Sequence, residues 1–289
     1  MLAQTQVQDI VQAQKDFFAT GKTKDVSFRK AQLKKLKQVI SESQNTITEA
    51  LFQDFGKPKF EAIVTEVAYC GEEIDYFLKH LEQWVKQKPV KTPLNFFPAT
   101  SFIVPESLGQ VLIISPWNYP FQLAIIPLLG AIAAGNCAII KPSEITPNTS
   151  KVLADLIAQT FDPNYITVVE GDKTVSEELL QQKFDHIFYT GGSAVGKIVM
   201  KAAAEHLTPV TLELGGKSPC IVEPDIHVEH SAKRIIWGKF INAGQTCIAP
   251  DYLLVHREIK EELVSAMQAC LQEFYGENPQ ESSDYSRIV

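Results

Sequence analysis

Apolar residues in the first ninety positions recur every three or four residues, which is the spacing of one face of an α-helix. Lysines and glutamates separate them, and we interpret these charged residues as solvated helix faces. The sequence therefore predicts a helical N-terminal region. The apolar positions that define its helices are Val7, Ile10, Val11, Phe17, Phe18, Leu33, Leu36, Ile40, Ile63, Val67, Cys70, Ile74, Phe77, Leu78, Leu81 and Val85.

Prolines break this pattern between residues 88 and 110. Pro89, Pro93, Pro98 and Pro105 exclude a continuous helix. We predict an extended segment that crosses between layers or reaches towards another subunit. Its second half, SFIVPESLGQVLII, is compatible with a hairpin.

Short apolar runs alternate with helix-like stretches after residue 110. VLIIS, CAIIK, YITVVEG and HIFYTGG have the composition of strands in a parallel sheet that is buried on both faces. A second set, VTLELGG, SPCIVEP and YLLVH, alternates with two further helices. We predict an α/β fold: a doubly wound, Rossmann-like domain with N-terminal helices over residues 1–209, and a second α/β domain over residues 210–289. Ligands of such sheets bind at the carboxyl ends of the strands.

Composition narrows the classes of protein. The chain has 27 Lys and Arg against 34 Asp and Glu, a formal net charge of -7 and no basic tract, so nucleic acid is not an expected partner. Five widely spaced cysteines indicate neither a disulfide framework nor a metal site, and they fit a reducing cytoplasm. The longest apolar stretch, residues 123–140, contains Pro127, Gly130 and Gly135. We interpret it as a buried helix, a turn and a buried strand rather than a membrane span.

Two loops at predicted strand ends carry groups that suit a nucleotide. In YTGGSAVGK, the glycines at 191, 192 and 196 stand where a strand turns into a helix, and free N–H groups there can face a phosphate or pyrophosphate. Glycine is also common at such turns for steric reasons. In IIKPSE, Lys141 and Glu144 can hydrogen-bond the vicinal hydroxyls of a ribose, or they form a plain surface pair.

Three further residues suit covalent chemistry on a carbonyl. Asn118, in SPWNYPF, is either a neutral oxyanion donor or a structural turn residue. Glu213, among apolar strand residues, is either a general base or a partly exposed carboxylate. Cys247 lies in GQTCIAP, a loop too rich in turn residues for ordinary core, and is either a nucleophile or a small buried hydrophobe. For Cys70, Cys137, Cys220 and Cys270 we expect a buried, inert thiol.

Taken together, the motifs resemble those of the aldehyde dehydrogenase superfamily, and most closely its class 3 branch of fatty and aromatic aldehyde dehydrogenases. PWNYPF, GAIAAGNCAIIKPSE, FYTGGSAVGK, TLELGGKSP and GQTCIAPDY occur in the family's order and spacing along essentially the whole chain. The resemblance implies that Cys247 attacks an aldehyde carbonyl and that Asn118 and the Cys247 backbone N–H hold the oxyanion. It further implies that Glu213 activates the water that hydrolyses the resulting thioester.

The resemblance also implies a cofactor, which is NAD or NADP. Lys141 and Glu144 would bind the adenine ribose, and a 2′-phosphate is compatible with Lys141. Gly191, Gly192, Ser193 and Gly196 would lie by the pyrophosphate. Many family members have serine where this chain has Gly192, and Ser193 can replace that hydroxyl contact.

Members of this family are longer than this chain, which resembles their first part and lacks about a third. The second domain, residues 210–289, is therefore expected to be an incomplete catalytic domain, and residues 1–289 alone are expected to turn over little. The resemblance implies a homodimer for the full-length form, with residues 88–110 as an oligomerisation segment. It implies a small-molecule substrate that is a medium-chain or long-chain aliphatic aldehyde or an aromatic aldehyde. Two other classes stay open: a cysteine esterase or acyltransferase without hydride transfer, and a non-catalytic fragment.

Overall fold

The computed structural model describes residues 4–289, and helices and strands alternate through most of this range. Its helices are α1 (Gln4–Ala19), α2 (Val26–Glu42), α3 (Gln44–Phe55), α4 (Lys59–Ala62), α5 (Tyr69–Trp84), α6 (Gln122–Ala134), α7 (Pro147–Thr160), α8 (Lys173–Leu180), α9 (Ser193–Ala204), α10 (Val228–Phe240) and α11 (Lys260–Tyr275), with a π-helical segment, Ile63–Ala68, between α4 and α5. Its strands are β1 (Lys88–Val90), β2 (Ser101–Ile103), β3 (Gln110–Ile114), β4 (Cys137–Lys141), β5 (Ile166–Val168), β6 (His186–Thr190), β7 (Val210–Glu213), β8 (Ser218–Val222) and β9 (Pro250–Val255).

The central feature is a five-stranded parallel sheet in the order β5-β4-β3-β6-β7. Successive side chains of a strand point to opposite faces. Accordingly, Val111 and Ile113 pack with helices α2 to α7, whereas Leu112 packs with α1, α8 and α9. Both faces of the sheet are covered, which confirms the predicted doubly wound α/β fold.

Strand β7 differs from the prediction. VTLELGG was predicted to belong to the second domain, but Val210–Glu213 pairs in parallel with β6 and is the edge strand of the large sheet. The run is short and flanked by turn residues, so its sequence does not distinguish the last strand of one sheet from the first strand of the next. The carboxyl end of β7 therefore lies on the same sheet edge as those of β3 and β6.

The remaining elements form a smaller α/β unit. Strands β8 and β9 pair in parallel, and α10 and α11 pack against them around a separate apolar cluster that includes Ala232, Ile236 and Leu263. The nucleophile candidate, Cys247, lies between α10 and β9. This unit therefore presents Cys247 from outside the large sheet.

The proline-rich segment is extended, as predicted, and most of it is exposed. Its hairpin pairs β1 with β2 in antiparallel register, Lys88 opposite Ile103, and not two strands within SFIVPESLGQVLII. Among the described residues, no helix is both long and apolar enough to cross a membrane.

A buried ion pair corrects our interpretation of the N-terminal charges. Lys57 and Glu66, taken as solvated, both have fully buried side chains, with Nζ and Oε1 separated by 2.8 Å. The second carboxylate oxygen of Glu66 accepts hydrogen bonds from the backbone N–H groups of Phe121 and Gln122, at 3.1 and 2.9 Å. Glu66 thus caps the start of α6, where N–H groups have no partner within the helix.

We expect Glu66→Ala to lower the free energy of unfolding by about 3–5 kcal/mol, because it leaves the Lys57 ammonium buried without a counter-ion. Urea denaturation of the two proteins measures the difference. Asp75→Ala is the control, since it breaks the exposed Lys37–Asp75 pair and should change stability little. Equal stability of Glu66→Ala and the wild type would contradict this account of the pair.

Candidate active site

A cavity of about 450 Å³ opens at the carboxyl ends of β3, β6 and β7. Chain connections from β3 run to β4 on one side, whereas β6 lies on the other side of β3, so this is the point at which the strand order reverses. Ligands of open α/β sheets bind in the crevice at such a point. The cavity wall includes Asn118, Gly191, Gly192, Glu213 and Cys247.

Asn118 is hydrogen-bonded directly to residues 245–249, the loop that carries Cys247, which we call the nucleophile loop. The side-chain Nδ2 of Asn118 donates to the backbone carbonyl oxygen of Gln245 at 2.8 Å, and its backbone carbonyl oxygen accepts from Nδ2 of Asn242 at 2.7 Å. A carboxamide nitrogen carries two hydrogens. One N–H of Asn118 therefore fixes the nucleophile loop, and the other is available for a ligand in the cavity.

Cys247 is exposed, in contrast to three of the other four cysteines. Burial raises the pKa of the Cys70 thiol well above its usual range and raises that of Cys137 to about 12. Those two thiols stay protonated at neutral pH, as expected for inert core cysteines. Cys220 is partly exposed rather than buried.

An unusual backbone precedes Cys247. Asn242, Ala243 and Gly244 have φ values of 54°, 54° and 77°, so three consecutive residues are left-handed. This conformation costs residues other than glycine roughly 1–2 kcal/mol each. We call residues 242–244 the left-handed turn; it follows the end of α10 at Phe240 and turns the chain back towards Asn118.

Glu213 is the last residue of β7, and its side chain is exposed. The backbone carbonyl oxygen of Glu213 accepts a hydrogen bond from the N–H of Gly191 at 2.9 Å. This bond joins Glu213 to residues 191–192, between β6 and α9, which we call the glycine loop. After Glu213, Gly216 passes so close to the nucleophile loop that a Cβ there would lie 2.4 Å from the carbonyl oxygen of Cys247. The segment after β7 and the nucleophile loop are therefore in backbone contact.

The glycine loop leads into α9, whose first turn has no side-chain cap. Gly192 is the N-cap residue, and a Cβ on Gly191 would lie 2.3 Å from the Tyr189 hydroxyl, which donates to the Gly192 carbonyl at 3.1 Å. Uncapped N–H groups of a helix suit an anion. Ser193 is exposed in this first turn, whereas Gly196 is buried against Leu214 and its N–H bonds the Gly192 carbonyl, which is a packing position.

Lys141 and Glu144 lie at the end of β4, beside this cavity but outside its wall. Lys141 is only 2% exposed, and its Nζ donates to the carbonyl of Pro142 at 2.6 Å and to Glu144 Oε2 at 3.1 Å. The Glu144 side chain is 48% exposed. The lysine therefore orients the glutamate, which is the more accessible of the two groups.

Several residues that stabilise the site through hydrogen bonds and packing were not predicted from the sequence. Tyr119 is buried, its hydroxyl is hydrogen-bonded to Thr246 Oγ1 at 2.7 Å, and Lys57 Nζ lies 4.1 Å from its ring centroid. The spacing of Glu66 contained a usable signal, because it lies three residues after Ile63 and four before Cys70, on the apolar face. Tyr119 and Thr246 carried no comparable signal.

The sequence and the fold of this chain are similar to those of known proteins. Residues 1–286 match the aldehyde dehydrogenase family. The chain belongs to that family. The 4,4'-diaponeurosporen-aldehyde dehydrogenase of Staphylococcus aureus is 54% identical over 275 residues, which are 95% of this chain and 60% of that protein. The dimeric, NADP-preferring aldehyde dehydrogenase of Rattus norvegicus is 46% identical over 98% of this chain and 62% of its own length.

Solved aldehyde dehydrogenases have the same fold. The substrate-bound state of Staphylococcus aureus AldH superimposes with a TM-score of 0.94 at 52% identity, covering 98% of this chain and 62% of that one. Mycobacterium tuberculosis aldehyde dehydrogenase complexed with NAD+ gives a TM-score of 0.90 at 26% identity, covering all of this chain and 60% of that one. The chain thus spans about 60% of the length of the aldehyde dehydrogenases that it matches.

Proposed function

We propose that this chain carries the catalytic cysteine and the cofactor site of an NAD(P)-dependent aldehyde dehydrogenase that converts an apolar aldehyde into a carboxylic acid. One observation carries the proposal: Cys247, Asn118 and Glu213 line a single cavity with Gly191 and Gly192 at the point where the strand order reverses. Family membership supplies the reaction class.

In the first half-reaction, the Cys247 thiolate adds to the aldehyde carbon. A carbon–sulfur bond forms, and the carbonyl π electrons move to the oxygen. The free N–H of Asn118 and the backbone N–H of Cys247 stabilise the resulting alkoxide. Collapse of the alkoxide expels hydride and leaves a thioester on Cys247; NAD or NADP, when bound, would accept that hydride.

In the second half-reaction, water attacks the thioester. Glu213 takes a proton from that water as general base, because it lies across the same cavity on the exposed end of β7. The tetrahedral adduct expels the Cys247 thiolate and releases the acid. One sulfur therefore serves both steps.

The residues present suit a dinucleotide. The uncapped first turn of α9, with Gly192 as N-cap and Ser193 exposed, offers N–H groups and a hydroxyl to a pyrophosphate. Glu144, held by Lys141, offers a carboxylate to the ribose hydroxyls at the neighbouring strand end. The complexes of relatives with NAD+, and the NADP preference in the name of the rat relative, support either nucleotide.

A second cavity, of about 250 Å³, suits the aldehyde. Its wall is largely apolar and also contains two acidic residues; it includes Phe60, Val64, Trp237, Ile241, Glu61 and Asp284. Ile241 directly precedes the left-handed turn, so this cavity borders the segment that leads to Cys247, which itself lines the first cavity. This arrangement favours medium-chain to long-chain aliphatic or aromatic aldehydes over small polar ones.

The hairpin at residues 88–103 supports a homodimer. Leu94 and Phe97 are 92% and 84% exposed, and Phe96, Phe102 and Ile103 of the same hairpin are exposed as well. Apolar patches of this kind mark interaction surfaces. The word dimeric in the name of the rat relative favours a second copy of this chain as the partner.

We expect the double variant Leu94→Asp, Phe97→Asp to sediment as a monomer under conditions where the wild type sediments as a dimer, since charges on this surface must be desolvated in the interface. Sedimentation velocity measures the change. Met200→Asp alters an exposed apolar residue of α9 and is the control. A dimeric double variant would exclude the hairpin as the interface.

The experiment that tests the proposed reaction follows reduced nucleotide and acid together. The protein is incubated with a panel of aliphatic and aromatic aldehydes and with NAD or NADP, and both products are quantified. Equal amounts of acid and reduced nucleotide support the proposal, even if turnover by the 289-residue chain is slow. Acyl transfer without nucleotide reduction identifies a cysteine esterase or acyltransferase, and no reaction of either kind identifies a non-catalytic fragment.

A further inference from the structure

We propose that Glu61 is a positioning residue, which holds the left-handed turn at residues 242–244 and thereby sets Cys247 against Asn118. The inference rests on the proposed function, because it concerns the geometry of that same thiol. Glu61 belongs to α4, and its contact with the turn joins residues 181 positions apart.

The left-handed turn must be stabilised by contacts with residues outside it. Asn242 and Ala243 adopt a conformation that side chains disfavour, so the surrounding contacts must maintain it. Glu61 Oε1 accepts a hydrogen bond from the backbone N–H of Asn242 at 2.9 Å. A carboxylate oxygen accepts hydrogen bonds more strongly than a neutral oxygen does.

Asn242 also forms hydrogen bonds that position the reacting groups. Its Nδ2 donates to the Asn118 carbonyl at 2.7 Å and to the Gln245 carbonyl at 3.3 Å. The Gln245 carbonyl is the group that accepts from Nδ2 of Asn118, and Gln245 lies two residues before Cys247. A shift of Asn242 would therefore move the oxyanion donor and the nucleophile loop relative to each other.

The same carboxylate joins the C-terminal segment to the turn. Glu61 Oε1 also accepts from the Ser286 hydroxyl at 3.2 Å, and Ser286 is buried. One residue further on, the carbonyl of Arg287 accepts from Nε2 of Gln245 at 3.0 Å. Burial has the largest influence on the Glu61 carboxyl and raises its pKa, an effect that the Lys57 charge partly offsets. Retention of such a group is typical of functional sites.

The test compares Glu61→Ala with Glu61→Gln, which keeps a carbonyl oxygen as acceptor. Glu72→Ala, which removes an exposed acid of α5, is the matched control. Hydrogen–deuterium exchange of the peptide that contains the left-handed turn is measured first. We expect about tenfold faster exchange in Glu61→Ala, as follows from losing a hydrogen bond to a charged group, and near wild-type exchange in the other two variants.

A chemical readout separates positioning from simple stability. Acylation of Cys247 by a p-nitrophenyl ester needs the oxyanion donor, whereas alkylation by iodoacetamide needs only an accessible thiol. We expect Glu61→Ala to lower the acylation rate about tenfold with little change in alkylation, and Glu61→Gln to restore most of it. Wild-type exchange of the turn in Glu61→Ala, or an unchanged ratio of acylation to alkylation, would overturn the inference. If the wild-type protein is not acylated at Cys247, that result contradicts the proposed function and not the role of Glu61. The hydrogen–deuterium exchange measurement then still tests the role of Glu61.

Discussion

Replacement of Cys247 by serine is expected to abolish covalent capture of the substrate. A p-nitrophenyl ester should release about one nitrophenolate per wild-type chain in a rapid burst, since the thiol is exposed in a cavity with a free amide donor. In Cys247→Ser the hydroxyl is a far weaker nucleophile at neutral pH. We expect the acylation rate to fall by roughly 10⁴-fold or more, as for other enzymes that lose their nucleophile.

Stopped-flow absorbance of the released nitrophenolate measures this rate, and peptide mass spectrometry locates the acyl group. Cys220→Ser is the matched control, because Cys220 is a partly exposed thiol in β8 and does not line the cavity. It should acylate like the wild type. A persistent burst in Cys247→Ser, or an acyl group found on Cys220, would remove Cys247 from the proposed mechanism and leave the cavity without a nucleophile.

Replacement of Asn118 by alanine is expected to have the next largest effect. The developing oxyanion would lose one of its two donors, and the loss of one such donor costs about 10² to 10³ in rate. Alkylation of Cys247 by iodoacetamide forms no oxyanion, so it should proceed at close to the wild-type rate. The two rates measured on the same preparation separate transition-state stabilisation from access to the thiol.

Asn118 also holds the nucleophile loop through the Gln245 carbonyl, and a control for that contact is needed. Gln122→Ala shortens another amide side chain of the same cavity, one for which no oxyanion contact is proposed, and should acylate normally. Equal losses of acylation and alkylation in Asn118→Ala would mean that Asn118 only positions the loop. The oxyanion would then need a different donor.

Local patterns predicted most of the fold. Strands β3, β4 and β6 are short aliphatic runs followed by turn residues, and their parallel pairing brings Asn118 and Gly191 to one edge of the sheet. The alternation of strands and helices required that pairing in any doubly wound sheet. Strand β7 was predicted as a strand but assigned to the wrong sheet, because sheet membership depends on a partner strand and not on the strand's own composition.

The supports of the site were not predictable in this way. The Glu61 contact joins residues 181 positions apart, and the burial of the Lys57–Glu66 pair and the conformation of the left-handed turn depend on how distant segments pack around them. A charged residue inside a helical pattern is usually solvated, and only the three-dimensional packing decides otherwise. The left-handed turn at 242–244 includes an alanine, which by itself predicts no such conformation.

The bond between Asn118 and Gln245 spans 127 positions, which has a consequence for biosynthesis. Ribosomes add about 5–20 residues per second, so the amide emerges roughly ten seconds before the loop that it contacts. The early helices and the first strands can assemble during that interval, before any thiol of the nucleophile loop has been translated. The Cys247 thiol can therefore react with cellular electrophiles only after the residues that form the large sheet have been synthesised.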